Sequence, residues 1–533
     1  MRSQSVTQTR AADGSDTHTE IAVSAANAKP RNGRAIFWMV IAALAVRLAV
    51  MAFVYPTALN PARDHWRFGG EAGRIARSLA TGHGYSSPYF ADTGPTAWLA
   101  PIFPLLLAGV FNIFGVYTKA AALAILSFDC LLSALTCIPV FLIARRTFGG
   151  QFGERAAKWA GWIWVFFPYS INFAASFIWD TTLSTLLMAL LFLAALKLAE
   201  PCTQCAGLKT AATTSLSRGW PEWFAFGALA GVAALSDPVI LSVAPFLTLW
   251  ALWRQFKLAA ARADCSEETT QRQSGVQTPH SIETADSRGA ESSRLAIHER
   301  HAIRALLLCA SVCLFAVILV LSPWFVRNYR TFHKFIPLRS GFWFEVYCGN
   351  NADSWHWDPP GYHPSDSATE WSEYQRLGET GYMELKKKEA LTFLSAHKTL
   401  YARQTLRRVV YIWTGFWSFS RRYLHEEPAD PGNIVFCTLL SVLAFLGLRR
   451  ASMDSANKHN GGLTGLPRRA WRERGAAAGA TPYIIAFVFF PLVYYFTHPE
   501  DYYRRPLDPM MVALAAGAIA AWRPSRGEKV RTI

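Results

Sequence analysis

Long apolar runs that are nearly free of charge constrain this chain more than any other feature. Several stretches of roughly 15 to 25 residues carry almost no charged side chains, which is the length that a helix needs to cross the hydrocarbon core of a bilayer. Only 17% of the 533 residues are charged, whereas a soluble protein carries about a quarter. The pattern therefore predicts an all-α polytopic membrane protein.

Ten of these runs are candidate spans. They lie at 35–55, 118–144, 156–174, 181–199, 221–236, 238–253, 304–326, 431–448, 481–497 and 508–522. The short loops between them hold the basic residues, as the positive-inside rule expects of cytoplasmic loops. The net charge of +16 is thus explained by topology, and we expect no nucleic-acid partner.

The segment 98–115 is apolar but short, and Pro101 and Pro104 interrupt it. The basic loops share one side with both termini only if this segment does not cross the membrane. We therefore expect it to lie in the outer interface, within a first outward loop at 56–117.

The remaining segments complete the predicted organisation. We expect a disordered cytoplasmic tail at 1–34, an N-terminal transmembrane catalytic module at 35–253 and a disordered cytoplasmic insert at 254–303. A C-terminal transmembrane module at 304–522 and a short tail at 523–533 follow. The second module holds a large outward loop at 327–430, in which the pattern at 369–405 predicts an amphipathic helix.

An unusual mixture of charged and aromatic residues follows the first span, at 63–104. Glycines precede and end a predicted short helix over 71–79, on which Glu71 and Arg74 share a face. Asp64 lies seven residues before Glu71, and His83 follows the helix. A structural Glu71–Arg74 ion pair explains this face without any function, whereas a catalytic carboxylate explains the aromatic surroundings as well.

Two further acids lie at predicted outer helix ends. Asp180 ends the turn SFIWD, and Asp237 precedes Pro238 in a tight hairpin. Aspartate is a preferred N-cap residue, so capping and function both remain open for Asp180. Capping is the preferred interpretation for Asp237.

Five arginines, Arg330 among them, are predicted on the same side, and arginine suits phosphate binding because a guanidinium donates two parallel hydrogen bonds. The four candidate binding residues are Arg327, Arg339, Arg504 and Arg505. Contact with lipid headgroups is the alternative explanation.

Several motifs in this order resemble the bacterial GT-C glycosyltransferases. They are Glu71 with RIARSLATGHGYSSP, the proline-broken segment, PWFVRNYRTFHKFIPLRS, and YYRRPLDP before the last span. The nearest group is that of the protein O-mannosyltransferases and the lipid A aminoarabinose transferases. The resemblance covers about 35–200 and 304–522.

The resemblance implies a transferase that takes a sugar from a polyprenyl-phosphate donor at the outer, periplasmic face of a bacterial inner membrane. Glu71 then matches the general base of the first outward loop, Asp180 matches the acid of the second, and Arg327 and Arg504 match cations near the donor phosphate. The family often has an adjacent Asp-Glu pair, whereas in this chain Gly70 precedes Glu71. This departure leaves open whether Glu71 or Asp64 is the base.

We therefore predict an inverting hexosyl- or pentosyltransferase with Glu71, Asp64 and Asp180 as catalytic candidates. Arg74, His83 and the four arginines above are candidate substrate-binding residues. The sugar, the lipid, glycan or protein acceptor and the need for a divalent cation stay open. The alternative is a polytopic transporter or lipid flippase, which more often shows internal repeats and broken helices near the membrane midplane.

Overall fold

The computed structural model describes residues 31–58, 68–200, 219–273, 285–353, 359–460 and 479–522. Over these ranges the chain is built from α-helices and short 3-10 helices, with no β-strand. This confirms the all-α class. Asp64 and most of the predicted N-terminal tail lie outside the described residues.

The helices are numbered in chain order. They are α1 (Arg31–Ala58), α2 (Glu71–Ala80), α3 (Ile102–Phe114), α4 (Lys119–Leu135), α5 (Cys137–Phe148), α6 (Gly150–Val165), α7 (Pro168–Ser176), α8 (Thr181–Leu198), α9 (Trp220–Ser236), α10 (Ala244–Gln273), α11 (Ala285–Phe332), α12 (Phe342–Gly349), α13 (Ala368–Ala396), α14 (Lys398–Thr414), α15 (Arg421–Glu426), α16 (Asp430–Asn460), α17 (Thr481–Phe489), α18 (Leu492–Phe496) and α19 (Asp508–Trp522).

Six helical stretches among the described residues are long and apolar enough to cross a membrane. They are Gly33–Phe53, Lys119–Phe148, Thr181–Leu198, Pro238–Ala259, Arg300–Phe332 and Asp430–Met453. The chain is thus a multi-pass membrane protein, and the count of ten spans stays a prediction. Helix α3 has 13 residues and is about 20 Å long, which is less than the roughly 30 Å of a hydrocarbon core.

Helix α19 lies at the centre of the bundle, where nearly every side chain from Asp508 to Gly517 is buried. Small residues allow helices to approach closely. A Cβ on Gly447 of α16 would lie 2.0 Å from the carbonyl oxygen of Leu514, and one on Gly227 of α9 would lie 2.2 Å from that of Cys313. Close backbone contact of this kind stabilises helix pairs in membranes, where there is little hydrophobic force between them.

Arg47 on α1 is fully buried and holds α4, α6 and α7 against its own helix. Its guanidinium donates to the hydroxyls of Ser133 and Ser170, each at 2.7 Å, and to the carbonyls of Ala43, Trp164 and Val165 at 3.0 to 3.2 Å. These contacts make it a structural residue of the bundle.

The predicted disordered insert at 254–303 is in large part helical. Helix α10 continues to Gln273 and α11 begins at Ala285, so that only 274–284 of the insert lies outside the described residues. The polar composition suggested disorder, but Lys, Leu, Ala, Arg, Glu and Gln are good helix formers. A helix that already crosses the membrane therefore continues through them without a new nucleation step.

The large loop at 327–430 folds into helices that cover the first loop. The helix predicted at 369–405 is two helices, α13 and α14, and α13 bends at Gly378, where φ is 65°. After this bend the buried Glu379 carboxylate accepts hydrogen bonds from the Thr96 hydroxyl, the Ala97 N–H at 2.8 Å and the Ser340 hydroxyl at 2.8 Å. These bonds tie both loops together around the candidate site.

Candidate active site

Glu71 is the first residue of α2, and a glycine turn sets its position. Gly69 and Gly70 have φ angles of 80° and 48°, a conformation that residues with a Cβ adopt at a cost. A Cβ on Gly69 would lie 2.6 Å from the carbonyl oxygen of Ile178. The turn therefore holds the start of α2 against the segment that ends at Asp180.

The Glu71 carboxylate is buried, with 5% of the residue exposed. Its direct partner is His363, whose Nε2 lies 3.2 Å from Oε1 of Glu71. Arg74 lies one turn further along α2, where its guanidinium stacks 4.1 Å from the centre of the Phe90 ring and donates to the Pro88 carbonyl at 3.3 Å. Glu71 and Arg74 thus lie on one helix as predicted, and the direct contact of the Glu71 carboxylate is with the His363 imidazole.

Opposing effects set the pKa of Glu71. Burial raises the pKa, while the hydrogen bond from His363 and the charge of Arg74 lower it, and the net result lies below the ordinary glutamate value. Glu71 is therefore ionised at neutral pH and is able to accept a proton.

Asp180 occupies the N-cap position of α8, but its side chain makes no capping hydrogen bond. Its backbone carbonyl instead accepts a hydrogen bond from the N–H of Ser184 at 2.8 Å, in the first turn of α8. Asp237 differs, because its Oδ1 accepts from the N–H of Val239 at 3.0 Å. Capping therefore explains Asp237, as the sequence favoured, and leaves the Asp180 carboxylate without this structural role.

The Asp180 and Asp237 carboxylates lie close enough to repel each other. Burial and the charge of Asp237 raise the pKa of Asp180 to about 8, against the attraction of Arg339. Burial also raises the pKa of Asp237 to about 6, while its hydrogen bond from Val239 and the charge of Arg339 oppose the rise. At neutral pH Asp180 is thus mostly protonated, although neighbouring carboxyls share their protons.

Arg339 is the cation that faces these two aspartates. It pairs with Glu345 at the start of α12, and its Nε is buried with no hydrogen-bond partner among the described residues. Burial lowers the pKa of Arg339, but the charges of Glu345, Tyr503, Asp180 and Asp237 raise it above the ordinary value. The guanidinium therefore stays charged and keeps one buried donor that a ligand can use.

His498 and Tyr503 lie beside Glu345 at the edge of the site. Oε2 of Glu345 lies 3.5 Å from Nδ1 of His498, and the same nitrogen lies 3.4 Å from the Glu345 carbonyl oxygen. Because both oxygens are acceptors, Nδ1 carries the proton. The hydroxyl of Tyr503 lies 3.4 Å from Nε2 of His498.

An aromatic wall joins the parts of the site. The Tyr502 ring packs at 5.4 Å from Phe177 and 6.1 Å from Trp179, the residues that precede Asp180. The charges of Glu71 and Glu345 both act on the Tyr502 phenol. Tyr502 thus packs against the segment before α8, and its phenol lies within electrostatic range of Glu71 on α2 and of Glu345.

Other predicted substrate-binding residues have structural partners. Arg327 donates to the carbonyls of Thr96 and Tyr85, which holds the first loop against α11. Arg504 lies 3.5 Å and Arg505 3.2 Å from the Asp508 carboxylate, and both are buried.

His83 is exposed at the far end of α2, where it lies 2.9 Å from the Thr81 hydroxyl. Helix α2 has ten residues and is about 15 Å long, so His83 lies well away from Glu71. Of the predicted set, the structure places Asp180 close to Arg339, and it places Glu71 with Arg74 on α2, whose start packs against the segment before Asp180.

The sequence did not assign His363, Glu345 or His498 to the site. His498 stands in the motif HPEDYYRRPLDP, six residues before Arg504. Glu345 and His363 lie in a loop without an unusual charge pattern, and only the fold brings them to the first loop.

The described residues contain no group of three or more His, Cys, Asp or Glu side chains that could hold a metal ion. The facing carboxylates of Asp180 and Asp237 are compensated by protonation and by Arg339. The chemistry below is derived from the described side chains alone.

Neither a family model nor a curated protein sequence matches the chain. Among solved structures, it is similar to the Archaeoglobus fulgidus oligosaccharyltransferase in the apo form, with 12% identity, a TM-score of 0.45, and coverage of 91% of this chain and 50% of that chain. The same organism's oligosaccharyltransferase AglB, in complex with an inhibitory peptide and a dolichol-phosphate, gives a TM-score of 0.40 at the same identity and coverage.

ArnT from Cupriavidus metallidurans, bound to undecaprenyl phosphate, is 14% identical, with a TM-score of 0.30 and coverage of 90% of this chain and 77% of that chain. AglB and ArnT are both enzymes of the superfamily that the sequence motifs resemble. The chain spans about half the length of the oligosaccharyltransferases that it matches. With TM-scores below 0.5, these similarities carry no argument about chemistry, which rests on the residues of the site.

Proposed function

We propose that the protein is a membrane glycosyltransferase that moves a sugar from a polyprenyl-phosphate donor to an acceptor. The observation that carries this proposal is the difference in protonation between two acids at helix starts that pack against each other. The pKa of Glu71 lies below its ordinary value, while that of Asp180 is raised to about 8. Environments that separate the pKa values of neighbouring acids are typical of a catalytic base and acid.

Glu71 is the proposed base. Its ionised carboxylate accepts the proton of an acceptor O–H or N–H as that atom attacks the anomeric carbon of the donor. One bond forms between the acceptor and this carbon, and the bond from the carbon to the phosphate oxygen breaks. The products are the glycosylated acceptor and the lipid phosphate, and direct displacement of this kind inverts the anomeric centre.

Arg339 is the proposed phosphate-binding residue. As the bond breaks, negative charge grows on the lipid phosphate, and donors that already point to it stabilise that charge. Arg339 has a buried Nε donor without a partner among the described residues, and the protonated Asp180 offers a second donor beside it. Arg327 and Arg505 instead hold the surrounding framework through carbonyl oxygens and Asp508. Arg504 donates to the Ile412 carbonyl and lies beside Asp508, and its Nε and Nη2 are also buried without a hydrogen bond among the described residues.

The location of the reaction follows from the donor. A lipid-linked sugar reaches the protein from the bilayer, and the site lies where helix ends meet the loops that we predict to face outward. We propose the periplasmic face of a bacterial inner membrane, with a lipid, glycan or protein acceptor. Dolichol-phosphate and undecaprenyl phosphate, present in the AglB and ArnT structures, define the class of lipid to be tested.

A reconstitution experiment tests this function against the transporter alternative. The purified protein is placed in vesicles with radiolabelled hexosyl and pentosyl undecaprenyl phosphates and mixed acceptors, and both lipid phosphate release and movement between leaflets are measured. We expect release of undecaprenyl phosphate with transfer of the label. Movement of an intact donor without release would instead support a flippase and reject the transferase.

A further inference from the structure

His363 lies in a turn that fixes its ring through the local backbone. Its peptide carbonyl accepts from the N–H groups of Asp366 at 2.9 Å and Ser367 at 3.0 Å. Its own Nδ1 accepts from the N–H of Ser365 at 3.1 Å. The ring and the turn 363–367, which leads into α13, are therefore one hydrogen-bonded unit.

This turn determines which ring nitrogen carries the proton. A backbone N–H only donates, so Nδ1 of His363 must present its lone pair to Ser365. The neutral ring then carries its proton on Nε2, the atom that lies 3.2 Å from Oε1 of Glu71. His363 thus donates a hydrogen bond to the Glu71 carboxylate as a neutral imidazole.

Three aromatic side chains, one from α12 and two from the first loop, hold the ring in this direction. The ring centre lies 5.4 Å from that of Phe344 on α12, 5.6 Å from that of Tyr89 and 6.2 Å from that of Trp98, all at steep interplanar angles. The side chain is 21% exposed, so protons from solvent still reach it. The packing therefore fixes the direction of the imidazole ring, while its exposed part can still exchange protons with solvent.

The charged groups around the ring act in opposite directions. Glu71 attracts a positive imidazole, and Arg74, which acts on Glu71 from the next turn of α2, disfavours one. Burial raises the pKa of Tyr89, so its phenol stays neutral. Asp366 is exposed on the turn itself. A proton on Nδ1 would point at the Ser365 N–H, and two donors cannot face each other.

We propose that His363 is a positioning residue, which as the neutral Nε2–H form orients the Glu71 carboxylate and releases it when the ring gains a second proton. The role rests on the proposed function, because it assigns Glu71 as the base. Protonation breaks the Ser365 contact, loosens the turn 363–367 and turns the ring away from its present direction. Imidazole ordinarily gains this proton in the mildly acidic range, so the site is active near neutrality and inactive in acid.

Three variants separate this role from a merely structural one. In His363→Gln the side-chain amide can still donate to Glu71 but does not titrate, and His363→Ala removes the donor. His397→Gln is the matched control, because His397 is an exposed histidine at the end of α13. The rate of undecaprenyl phosphate release is measured from pH 5 to pH 8 for each variant.

We expect His363→Ala to lower kcat about 10- to 100-fold, the size of effect known for residues that orient metal ligands through a hydrogen bond, with little change in KM for the donor. His363→Gln should keep most of the activity at pH 8 and lose less of it toward pH 5.5 than the wild type. The proposal is overturned if His363→Gln is as inactive as His363→Ala, or if its acid limb coincides with that of the wild type and of His397→Gln.

The tautomer itself is measured without turnover, so that a failed transferase assignment is recognised separately. The nitrogen resonances of His363 are identified in ¹⁵N-histidine-labelled protein by their absence in His363→Gln. At pH 7.5 we expect a neutral ring protonated on Nε2. A ring protonated on Nδ1, or on both nitrogens, contradicts the proposal whether or not the protein transfers sugar.

Discussion

At the residue scale, Asp180 and Glu71 differ in the protonation state that folding favours. The Glu71 carboxylate has a donor in His363, whereas the half-buried Asp180 carboxyl faces another acid. Between pH 4 and pH 8, the folded chain therefore holds a proton on Asp180 that the unfolded chain has lost. By linkage, this group makes the free energy of unfolding decrease as the pH rises.

The variant Asp180→Asn tests this state. We expect its melting temperature to equal that of the wild type near pH 4 and to exceed it increasingly toward pH 8, because the amide has no proton to lose. Thermal unfolding in detergent at several pH values measures the effect. The exposed Asp92 provides the control, and an Asp180→Asn variant that follows Asp92→Asn at every pH would contradict a raised pKa.

The sequence identified individual residues of the site better than their partners. Glu71, Asp180 and Arg339 stand beside glycines, at helix ends or after apolar runs, and such positions are visible in a single sequence. His363 and Glu345 contact residues far away in the chain. No local spacing records such contacts, because only the packing of the loops over α2 creates them.

At the element scale, the glycine turn before α2 decides where Glu71 lies. The predicted helix over 71–79 agrees with the observed Glu71–Ala80, since its apolar face and flanking glycines are local signals. The contact between Gly69 and the Ile178 carbonyl is not local, and it joins the start of α2 to the segment before α8.

A pair of glycine substitutions tests this contact. Gly69→Ala places a Cβ against Ile178, whereas Gly82→Ala adds one in open space at a similar φ of 85°. Both variants bear the strain of positive φ, about 1 to 2 kcal/mol. We expect only Gly69→Ala to lose most transferase activity, measured as lipid phosphate release beside the melting temperature. Equal losses in the two variants would show that backbone strain alone matters.

The insert at 254–303 is an element whose polar composition predicted disorder incorrectly. Residues at both ends of the 254–303 insert were expected to be disordered, yet α10 and α11 extend into them. Their hydrophobicity is low, but their helix propensity is high, and the membrane-spanning parts of both helices provide the nucleus.

At the scale of the whole molecule, apolar run length was sufficient to predict a helical membrane protein. It did not predict which segments meet. The site combines α2, the ends of α8 and α9, the loop before α12 and the segment before α19. These segments come from both halves of the chain, so the predicted division into two modules does not divide the proposed chemistry.

The most direct measurement compares donor binding and sugar transfer in Glu71→Gln with those in Glu154→Gln. Glu154 pairs with Arg145 at 2.6 Å on α6, away from the site, and is a matched control. We predict that Glu71→Gln binds labelled polyprenyl-phosphate sugar with near wild-type affinity but transfers it at least ~100-fold more slowly, the usual size of a lost general base. Transfer by Glu71→Gln at the rate of Glu154→Gln would contradict the assignment of Glu71 as the base.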